Sequence, residues 1–155
     1  MRLLVISDSH GNKAGINKIF ENESFDYMFF LGDGLSDLGT YINLENVFAV
    51  SGNCDFFSKV VNEKTIELEG FKIFFTHGNK YGVKSTLTHL IERGKEVEAD
   101  IVLYGHTHRK SIENIDGIYF INPGKFYPNY EGESCGVEIL LDENGVRVGN
   151  LIIKK

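Results

Sequence analysis

Short apolar runs recur along this chain of 155 residues, and a polar, glycine-rich segment follows nearly every one of them. The runs occupy residues 3–6, 27–31, 47–50, 71–75 and 101–104. A nearly continuous apolar run of this length is typical of a strand that is buried on both faces. Strands buried on both faces need another layer on each side, so this pattern constrains the chain to a layered fold.

The segments between the first three runs favour helices. Asn12 can cap a helix in which Ile16, Ile19 and Phe20 recur three to four residues apart, and residues 35–41 favour a second, shorter helix. The order strand, helix, strand, helix, strand predicts parallel pairing with right-handed crossovers.

The later part of the chain is richer in strands. The patterns predict one hairpin over residues 65–68 and 71–75, a helix over residues 84–98, and two hairpins that turn at Asp116-Gly117 and at Glu143-Asn144-Gly145. An α/β front followed by a strand-rich tail indicates two stacked sheets with helices outside. We therefore expect an α/β (α+β) fold, with residues 1–155 forming a single domain.

Composition excludes several classes of protein. A formal net charge of −6 argues against a general nucleic-acid binder, which needs a basic face. No apolar run is long enough to span a bilayer, and Asp8 interrupts the first run too early for a signal peptide. Cys54 and Cys135 form no recognisable disulfide framework, so we expect a reducing, cytoplasmic location.

Seven candidate metal ligands lie in five polar segments, four of which directly follow an apolar run. The segments are Asp8-Ser9-His10, Gly32-Asp33, Gly52-Asn53, Thr76-His77-Gly78 and Gly105-His106-Thr107-His108. Side chains just beyond strand ends project from the rim of a sheet, so we expect all seven donors to share one sheet edge. Asp, Asn and His offer the oxygen and nitrogen donors that hold manganese, iron, nickel or zinc.

Each segment taken alone also has a simpler interpretation. Asp8 and His10 could belong to a turn with a surface histidine, and Asp33 and Asn53 could each mark an ordinary glycine-containing turn. The paired His106 and His108 are harder to explain by packing, and the combination of all five segments favours a metal site. His89 lies inside the predicted helix without a second ligand nearby, so we expect a solvated or packed side chain.

The ordered set Asp-x-His, Gly-Asp, Gly-Asn-x-Asp, His-Gly and Gly-His-x-His resembles the calcineurin-like metallophosphoesterase superfamily. The segments Gly52-Asn53-Cys54-Asp55 and Asn122-Pro123-Gly124 are similar to its small prokaryotic phosphodiesterase branch. The resemblance implies a four-layer αββα sandwich of two mixed β-sheets flanked by helices. It also implies a metal-dependent phosphodiesterase that acts on a small phosphate ester. The chain could in addition form a homo-oligomer.

The resemblance implies a place for each ligand around two divalent metal ions per chain. One ion would be held by Asp8, His10, Asp33 and His108, and the other by Asp33, Asn53, His77 and His106, with Asp33 bridging. Hydroxide activated at this dinuclear centre would attack phosphorus in line. Four residues would act in catalysis, namely Asp33, Asn53, Cys54 and His106. Manganese is the first expectation, with nickel, iron, zinc or magnesium as alternatives.

Departures from the family pattern bear on the chemistry. Cys54 stands where many relatives carry a histidine that assists the leaving group, and a thiol is a poorer proton donor to an alkoxide. Asn79 replaces a second histidine, and Lys125 replaces a small residue. Asp37 either orients a ligand histidine or, as we favour, starts a helix, while Asp55 is expected to hold the Asn53 loop.

Two alternatives to an enzyme stay open at this point. One is a non-catalytic scaffold, as in the retromer subunit of this superfamily, which has lost metal-site residues. The other is a regulatory protein that binds metal or nucleotide without turnover, which the replacement at Cys54 leaves open. Phe56, Phe57 and Tyr81 could contribute to core packing, to a subunit contact or to substrate stacking.

Overall fold

The computed structural model describes residues 1–155 and contains ten strands in two five-stranded sheets. In chain order the strands are β1 (Arg2–Ile6), β2 (Tyr27–Phe30), β3 (Val47–Ala49), β4 (Glu63–Leu68), β5 (Phe71–Thr76), β6 (Ile101–Leu103), β7 (Lys110–Ile115), β8 (Ile118–Pro123), β9 (Glu133–Asp142) and β10 (Gly145–Lys154). The α-helices are α1 (Lys13–Asn22) and α2 (Thr88–Glu96), and 3₁₀ segments cover Leu35–Asn43 and Asn79–Tyr81.

The first sheet has the strand order β10-β9-β1-β2-β3. Strands β1, β2 and β3 are parallel, as the alternation of strands and helices predicted, with Leu3 opposite Tyr27 and Met28 opposite Val47. The hairpin β9–β10 joins antiparallel to β1. The parallel strands therefore all end at the same edge of this sheet.

The second sheet has the order β4-β5-β6-β8-β7, and its central strands β5, β6 and β8 are parallel. Strands β4 and β7 pair antiparallel at its two edges. All three predicted hairpins are confirmed, since β4 pairs with β5, β7 with β8, and β9 with β10.

The two sheets stack face to face, and helices cover their outer faces, so the four-layer mixed α/β sandwich is confirmed. Successive residues of a strand point to opposite faces. Accordingly Leu3 and Val5 join the core between the sheets, whereas Leu4 and Ile6 pack against α1 and the segment Leu35–Asn43. On the far side, Leu90 of α2 packs in a third apolar cluster with second-sheet residues.

The helices follow the sequence with one correction. Asn12 caps α1 by accepting a hydrogen bond from the Gly15 amide at 3.1 Å. The second α-helix is shorter than predicted: it begins at Thr88 rather than residue 84, because the amides of Ser85 and Thr86 form turn bonds to the Gly82 carbonyl. None of the helices combines the length and the apolar character that a membrane-spanning helix requires.

Gly94 lies inside α2 although glycine disfavours helices. A Cβ atom at this position would lie 3.0 Å from Val102 Cγ2 and 3.3 Å from the Phe120 ring. The glycine therefore permits a close approach between α2 and the second sheet.

Candidate metal centre

The seven predicted ligands follow strand ends on one rim of the sandwich, but they come from both sheets. Asp8, His10, Asp33 and Asn53 follow β1, β2 and β3 of the first sheet, whereas His77, His106 and His108 follow β5 and β6 of the second. The prediction of a single shared sheet edge is therefore wrong. The hairpin β4–β5 starts a new sheet, and the candidate site lies where the two rims meet.

Five of the seven ligand residues have a positive φ angle. The values are 55° for Asp8, 41° for His10, 60° for Asp33, 71° for His106 and 62° for His108. Residues with a Cβ atom rarely adopt this left-handed region, although Asp and His tolerate it better than most. Each such residue costs about 1–3 kcal/mol, and clusters of them are typical of functional sites.

The first ligand cluster consists of Asp8, His10 and His108. Asp8 is fully buried, and its Oδ2 accepts hydrogen bonds from Ser7 Oγ at 2.5 Å and from the His106 amide at 3.1 Å. Its Oδ1 is also buried but has no hydrogen-bond partner. That oxygen lies 3.2 Å from His108 Nε2 and 3.8 Å from His10 Nε2, and the two imidazole nitrogens are 3.3 Å apart.

The second ligand cluster consists of Asp33, His77 and His106. His77 Nε2 lies 3.2 Å from Asp33 Oδ2 and 3.1 Å from His106 Nδ1. The other ring nitrogen of His77, Nδ1, is 2.7 Å from the Leu31 carbonyl oxygen. Since a carbonyl oxygen only accepts, His77 Nδ1 is the donor, and Nε2 is the atom that faces the cluster.

The donor distances fit divalent cations. With metal–ligand bonds of about 2.0–2.2 Å, ligand atoms around one cation lie about 3–3.5 Å apart. Within the two clusters the closest donor pairs are 3.1–3.3 Å apart. The clusters adjoin each other, because His77 Nε2 lies 3.9 Å from Asp8 Oδ1. A buried carboxylate oxygen without a donor is costly, and a cation would satisfy Asp8 Oδ1.

The electrostatics of the second cluster also favour positive charge. Burial acts to raise the pKa of Asp33, but the interaction of its carboxylate with His77 and the hydrogen bond from the Cys54 amide lower it to about 2. Burial acts to lower the pKa of His77, yet the neighbouring carboxylates of Asp33 and Asp8 raise it above its usual value. Burial and the charges of His77 and Lys84 lower the pKa of His106. The two carboxylates thus create a site for cations.

Asn53 is the predicted ligand that lies apart from the two clusters. Its side chain is exposed, and its Nδ2 donates to Cys54 Sγ at 3.4 Å without hydrogen-bonding to any of the other six ligand residues. The exposed Cys54 is tied to the site through its backbone, whose amide donates to Asp33 Oδ1 at 2.8 Å. Desolvation and the charges of Asp33 and Asp55 raise the pKa of the Cys54 thiol, so the thiol keeps its proton.

Asp55 holds the loops that follow β2 and β3. Its Oδ2 accepts from the amides of Asp33 and Gly52, both at 2.7 Å, and its Oδ1 accepts from Gly34 at 2.9 Å and Leu35 at 3.0 Å. The sequence suggested that Asp55 holds the Asn53 loop. The structure extends that role, because one carboxylate joins two separate ligand-bearing loops.

Asp37 supports the loop that carries His10. It lies in the first turn of the segment Leu35–Asn43, as the favoured interpretation expected, and its Oδ2 accepts from Ser9 Oγ at 2.6 Å and the Gly11 amide at 2.8 Å. Its bonds therefore flank His10 on both sides without reaching the imidazole itself.

Asn122 supports the turn that carries His106 and His108. This fully buried residue donates from Nδ2 to the Gly105 carbonyl oxygen at 3.0 Å and to Thr107 Oγ1 at 2.9 Å. Sequence reasoning used Asn122 only as part of the family pattern and did not assign it this role. The position of a polar residue inside the otherwise apolar strand β8 could have indicated that Asn122 has a buried hydrogen-bonding role.

Close approach explains the glycines that precede two of the ligands. A Cβ atom on Gly52 would collide with Asp33 Oδ1, and one on Gly105 would collide with Ser7 Oγ and lie 2.8 Å from Asp8 Oδ2. The glycine in each of these motifs therefore makes room for a carboxylate of the site.

The remaining candidates lie outside the ligand clusters. The side chain of His89 is 69% exposed on α2, with Nδ1 3.6 Å from Glu92 Oε2, which agrees with the expectation of a solvated side chain. Phe56 and Phe57 are 76% and 103% exposed, so core packing is the wrong interpretation for both. Tyr81 packs edge-on against Phe74 and donates to Glu63 at 2.6 Å.

The sequence is similar to those of known metallophosphoesterases, which agrees with the two clusters of metal ligands. The sequence model of the "Calcineurin-like phosphoesterase superfamily domain" matches residues 1–143. A probable metallophosphoesterase of Bacillus subtilis is 35% identical over 125 residues, which cover 80% of this chain and 74% of that protein. A phosphodiesterase of Methanocaldococcus jannaschii is 32% identical over 145 residues, covering 81% and 84% of the two chains.

Solved structures show the same fold. The crystal structure of a predicted phosphoesterase from Streptococcus pneumoniae is 28% identical and superposes with a TM-score of 0.86 over 97% of this chain and 88% of that one. Vps29 of Entamoeba histolytica complexed with zinc is 18% identical, with a TM-score of 0.76 over 98% and 99% of the two chains, which shows the fold alone. The extent of the sequence match decides the family: this chain belongs to the calcineurin-like phosphoesterase superfamily.

Proposed function

We propose that this protein is a metal-dependent phosphodiesterase with a dinuclear centre. The observation that carries the proposal is Asp8 Oδ1, a fully buried carboxylate oxygen without a hydrogen-bond partner. Nε2 atoms of three histidines surround it, at 3.2 Å from His108, 3.8 Å from His10 and 3.9 Å from His77. A cation is the partner that this arrangement of donors suits.

The proposed ligand sets follow the two clusters. Asp8, His10 and His108 would hold one cation and Asp33, His77 and His106 the other. The resemblance to the family places Asp33 as the bridge between the cations, and the clusters adjoin where His77 Nε2 lies 3.9 Å from Asp8 Oδ1. Asn53 would complete the second set by turning its exposed side chain inward. Its contact with Cys54 Sγ, at 3.4 Å, is a weak hydrogen bond that such a rotation would break at little cost.

The protein's own contribution is to hold these donors in place before substrate binds. Two divalent cations held by these residues would supply an activated water for attack on phosphorus and positive charge for the phosphoryl oxygens. Ser7 fixes Asp8, and the Leu31 carbonyl fixes His77, so these buried ligands need little reorganisation during the reaction. Asp33 and His106, which both belong to the second cluster, would border the reacting group.

Cys54 sets the preference among leaving groups. Its raised pKa keeps the thiol protonated but makes it a weak acid, so it gives little help to a departing alkoxide. We expect diesters with good leaving groups, such as nitrophenolate, to react best. Small phosphate esters suit an acidic protein of net charge −6 better than nucleic-acid polymers do.

A non-catalytic scaffold is the competing proposal. A scaffold has no need for a buried, unpartnered carboxylate oxygen or for left-handed backbone at five ligand residues, both of which are costly. A regulatory protein that binds metal without turnover would keep these features, and only an assay of turnover separates it from the enzyme.

We propose that the enzyme works in the reducing cytoplasm, because both of its cysteines are free. Residues 1–155 would act as one domain. Mixed histidine and carboxylate donors suit several divalent ions, among which we place manganese first.

The test is a substrate panel on metal-stripped protein that is reloaded separately with manganese, nickel, magnesium or zinc. We expect hydrolysis of bis(4-nitrophenyl) phosphate with at least one of these ions, and slower hydrolysis of unactivated alkyl monoesters. Absence of turnover with all four ions, in protein shown to contain the metal, would favour the scaffold or the regulatory alternative.

A further inference from the structure

A pocket of about 360 Å³ opens between the two loops that Asp55 holds together. One wall comes from the segment after β2 and the other from the segment after β3, and the lining residues are Leu35, Ser36, Cys54, Asp55, Phe56 and Ser58. The same two segments carry Asp33 and Asn53, so the pocket lies between two loops that bear proposed metal ligands.

Hydrogen bonds connect the wall of this pocket directly to the candidate metal centre. The amide of Cys54 donates to Asp33 Oδ1 at 2.8 Å, and Asp55 Oδ2 accepts from the Asp33 amide at 2.7 Å. The other carboxylate oxygen of Asp33 lies 3.2 Å from His77 Nε2 in the second ligand cluster. Two lining residues thus contact a proposed ligand, and a group bonded to a phosphorus atom at the metals would lie within reach of the pocket.

Phe56 gives the pocket an exposed aromatic wall on a fixed support. It directly follows Asp55, whose carboxylate accepts from four backbone amides. The base of the loop is closed by Ser51, whose amide donates to the Val61 carbonyl at 2.9 Å and whose hydroxyl donates to the Val60 carbonyl at 2.8 Å. An exposed ring held in this way suits stacking on a planar group.

The charge of the lining restricts what kind of group fits. Asp55 is the only charged residue of the six, and both of its oxygens are occupied by backbone amides. The remaining polar groups are the hydroxyls of Ser36 and Ser58 and the thiol of Cys54. A pocket with a phenyl ring, an aliphatic side chain and neutral polar groups favours an uncharged aromatic ligand over an anion.

We propose that this pocket binds the leaving group of the phosphodiester and that Phe56 stacks on an aromatic ring of that group. The proposal rests on the proposed phosphodiesterase function, in which Cys54 faces the leaving group, and it narrows the substrate class. The preferred substrates are small diesters whose departing alcohol carries an aromatic ring. Phe56 would be a specificity-determining residue that touches the leaving group and takes no part in breaking the bond.

A matched pair of substrates tests the stacking contact. Methyl phenyl phosphate and methyl hexafluoroisopropyl phosphate have leaving alcohols of similar acidity, but only the first alcohol is aromatic. In the manganese-loaded protein, Phe56→Ala should lower the kcat/KM ratio of the phenyl ester over the hexafluoroisopropyl ester at least about five-fold. Phe56→Tyr keeps the ring and should keep the wild-type ratio. An unchanged ratio in Phe56→Ala, whether or not total activity falls, would overturn the proposal.

Phe57→Ala is the matched control for a general effect on the loop. Phe57 is an exposed neighbour of the same residue type that does not line the pocket, so this variant should keep the wild-type ratio. An equal decrease in both alanine variants would contradict a specific contact by Phe56. Analytical ultracentrifugation should give the same mass for wild-type protein and Phe56→Ala, and dissociation of the variant would assign the ring to a contact between subunits and overturn the proposal.

A fluorescence measurement separates failure of the pocket from failure of the proposed function. The chain contains no tryptophan, so Phe56→Trp places a single indole in the pocket wall and Phe57→Trp places one beside it. The phosphonate 4-nitrobenzylphosphonate, whose carbon–phosphorus bond resists hydrolysis, should quench Phe56→Trp saturably and Phe57→Trp much less. If neither ester is cleaved, the phosphodiesterase proposal fails, and the quenching alone then decides the pocket. Equal quenching of the two variants would overturn the aromatic subsite.

Discussion

Each buried carboxylate of the candidate centre has one oxygen held by the protein and one that faces imidazole nitrogens. Asp8 Oδ2 accepts from Ser7 and the His106 amide, while its Oδ1 faces the histidines. Asp33 Oδ1 accepts from the Cys54 amide, while its Oδ2 faces His77. The same division at two positions leaves Asp8 Oδ1 and Asp33 Oδ2 available to a cation, because the other oxygen of each carboxylate already fixes the side chain.

Asp33→Asn tests the bridging role of Asp33. A neutral amide bridges two cations poorly, so the variant should lose metal from both sites together, whereas we expect the wild-type protein to hold close to two ions per chain. Elemental analysis of purified protein gives the stoichiometry, and Asp116→Asn, in an exposed hairpin turn, is the matched control. Full metal content in Asp33→Asn would rule out bridging.

Cys54→His tests how the leaving group is assisted. Proton donation by a positioned side chain contributes about 10²–10⁴-fold, so the imidazole should raise activity most on diesters with poor leaving groups. The measurement is kcat/KM for a series of aryl and alkyl diesters, plotted against the pKa of the leaving group. A uniform change across the series would show that residue 54 does not act on the leaving group.

Histidine variants test where the site lies. His106→Ala and His108→Ala each remove one donor from a separate cluster, and a disturbed arrangement costs about 100-fold or more in turnover. His89→Ala changes an exposed side chain on α2 and should keep nearly full activity. Turnover is compared per folded protein, with circular dichroism as the check on folding. Equal inactivity of His89→Ala would contradict the placement of the site.

At the scale of elements, the loops after β2 and β3 depend on Asp55 for their mutual position. Its two carboxylate oxygens accept from four backbone amides, and these come from residues on both loops. Because Asp33 is one of those residues, the shape of the metal centre depends on a side chain that need not touch a cation.

Asp55→Asn should therefore reduce both stability and metal content. The amide group offers one acceptor oxygen where four donors require two, so the free energy of unfolding should fall by about 2–4 kcal/mol. Urea denaturation measures the loss. Asp26→Asn, whose carboxylate accepts from the single amide of Arg2 at 2.7 Å, should lose less than about 1.5 kcal/mol. Similar losses in the two variants would show that Asp55 has no special role.

The elements themselves were largely readable from local patterns. The Asn12 cap, the apolar spacing of α1 and the hairpin turns each depend on neighbours within a few residues, and each was predicted and observed. The start of α2 was misplaced because turn bonds to Gly82 take up the amides of Ser85 and Thr86. Those bonds depend on the left-handed backbone of Gly82, which the helical pattern of apolar residues does not reveal.

At the scale of the whole molecule, the strand-end rule predicted six of the residues that converge. Asn53 was predicted from the same rule, but the direction of its exposed side chain depends on packing that the sequence does not encode locally. The division of the donors between two sheets was missed, because sheet membership depends on long-range pairing. The roles of Asp37 and Asn122 in holding loops depend on contacts between distant segments.

The most direct test of the central claim is a titration of metal-stripped protein with manganese, with bound metal and hydrolysis of bis(4-nitrophenyl) phosphate measured on the same samples. Two adjoining donor clusters and a mechanism that needs both cations predict saturation at two ions per chain, with activity appearing as the second site fills. Saturation at one ion, or full occupancy without hydrolysis, would contradict the proposed dinuclear phosphodiesterase.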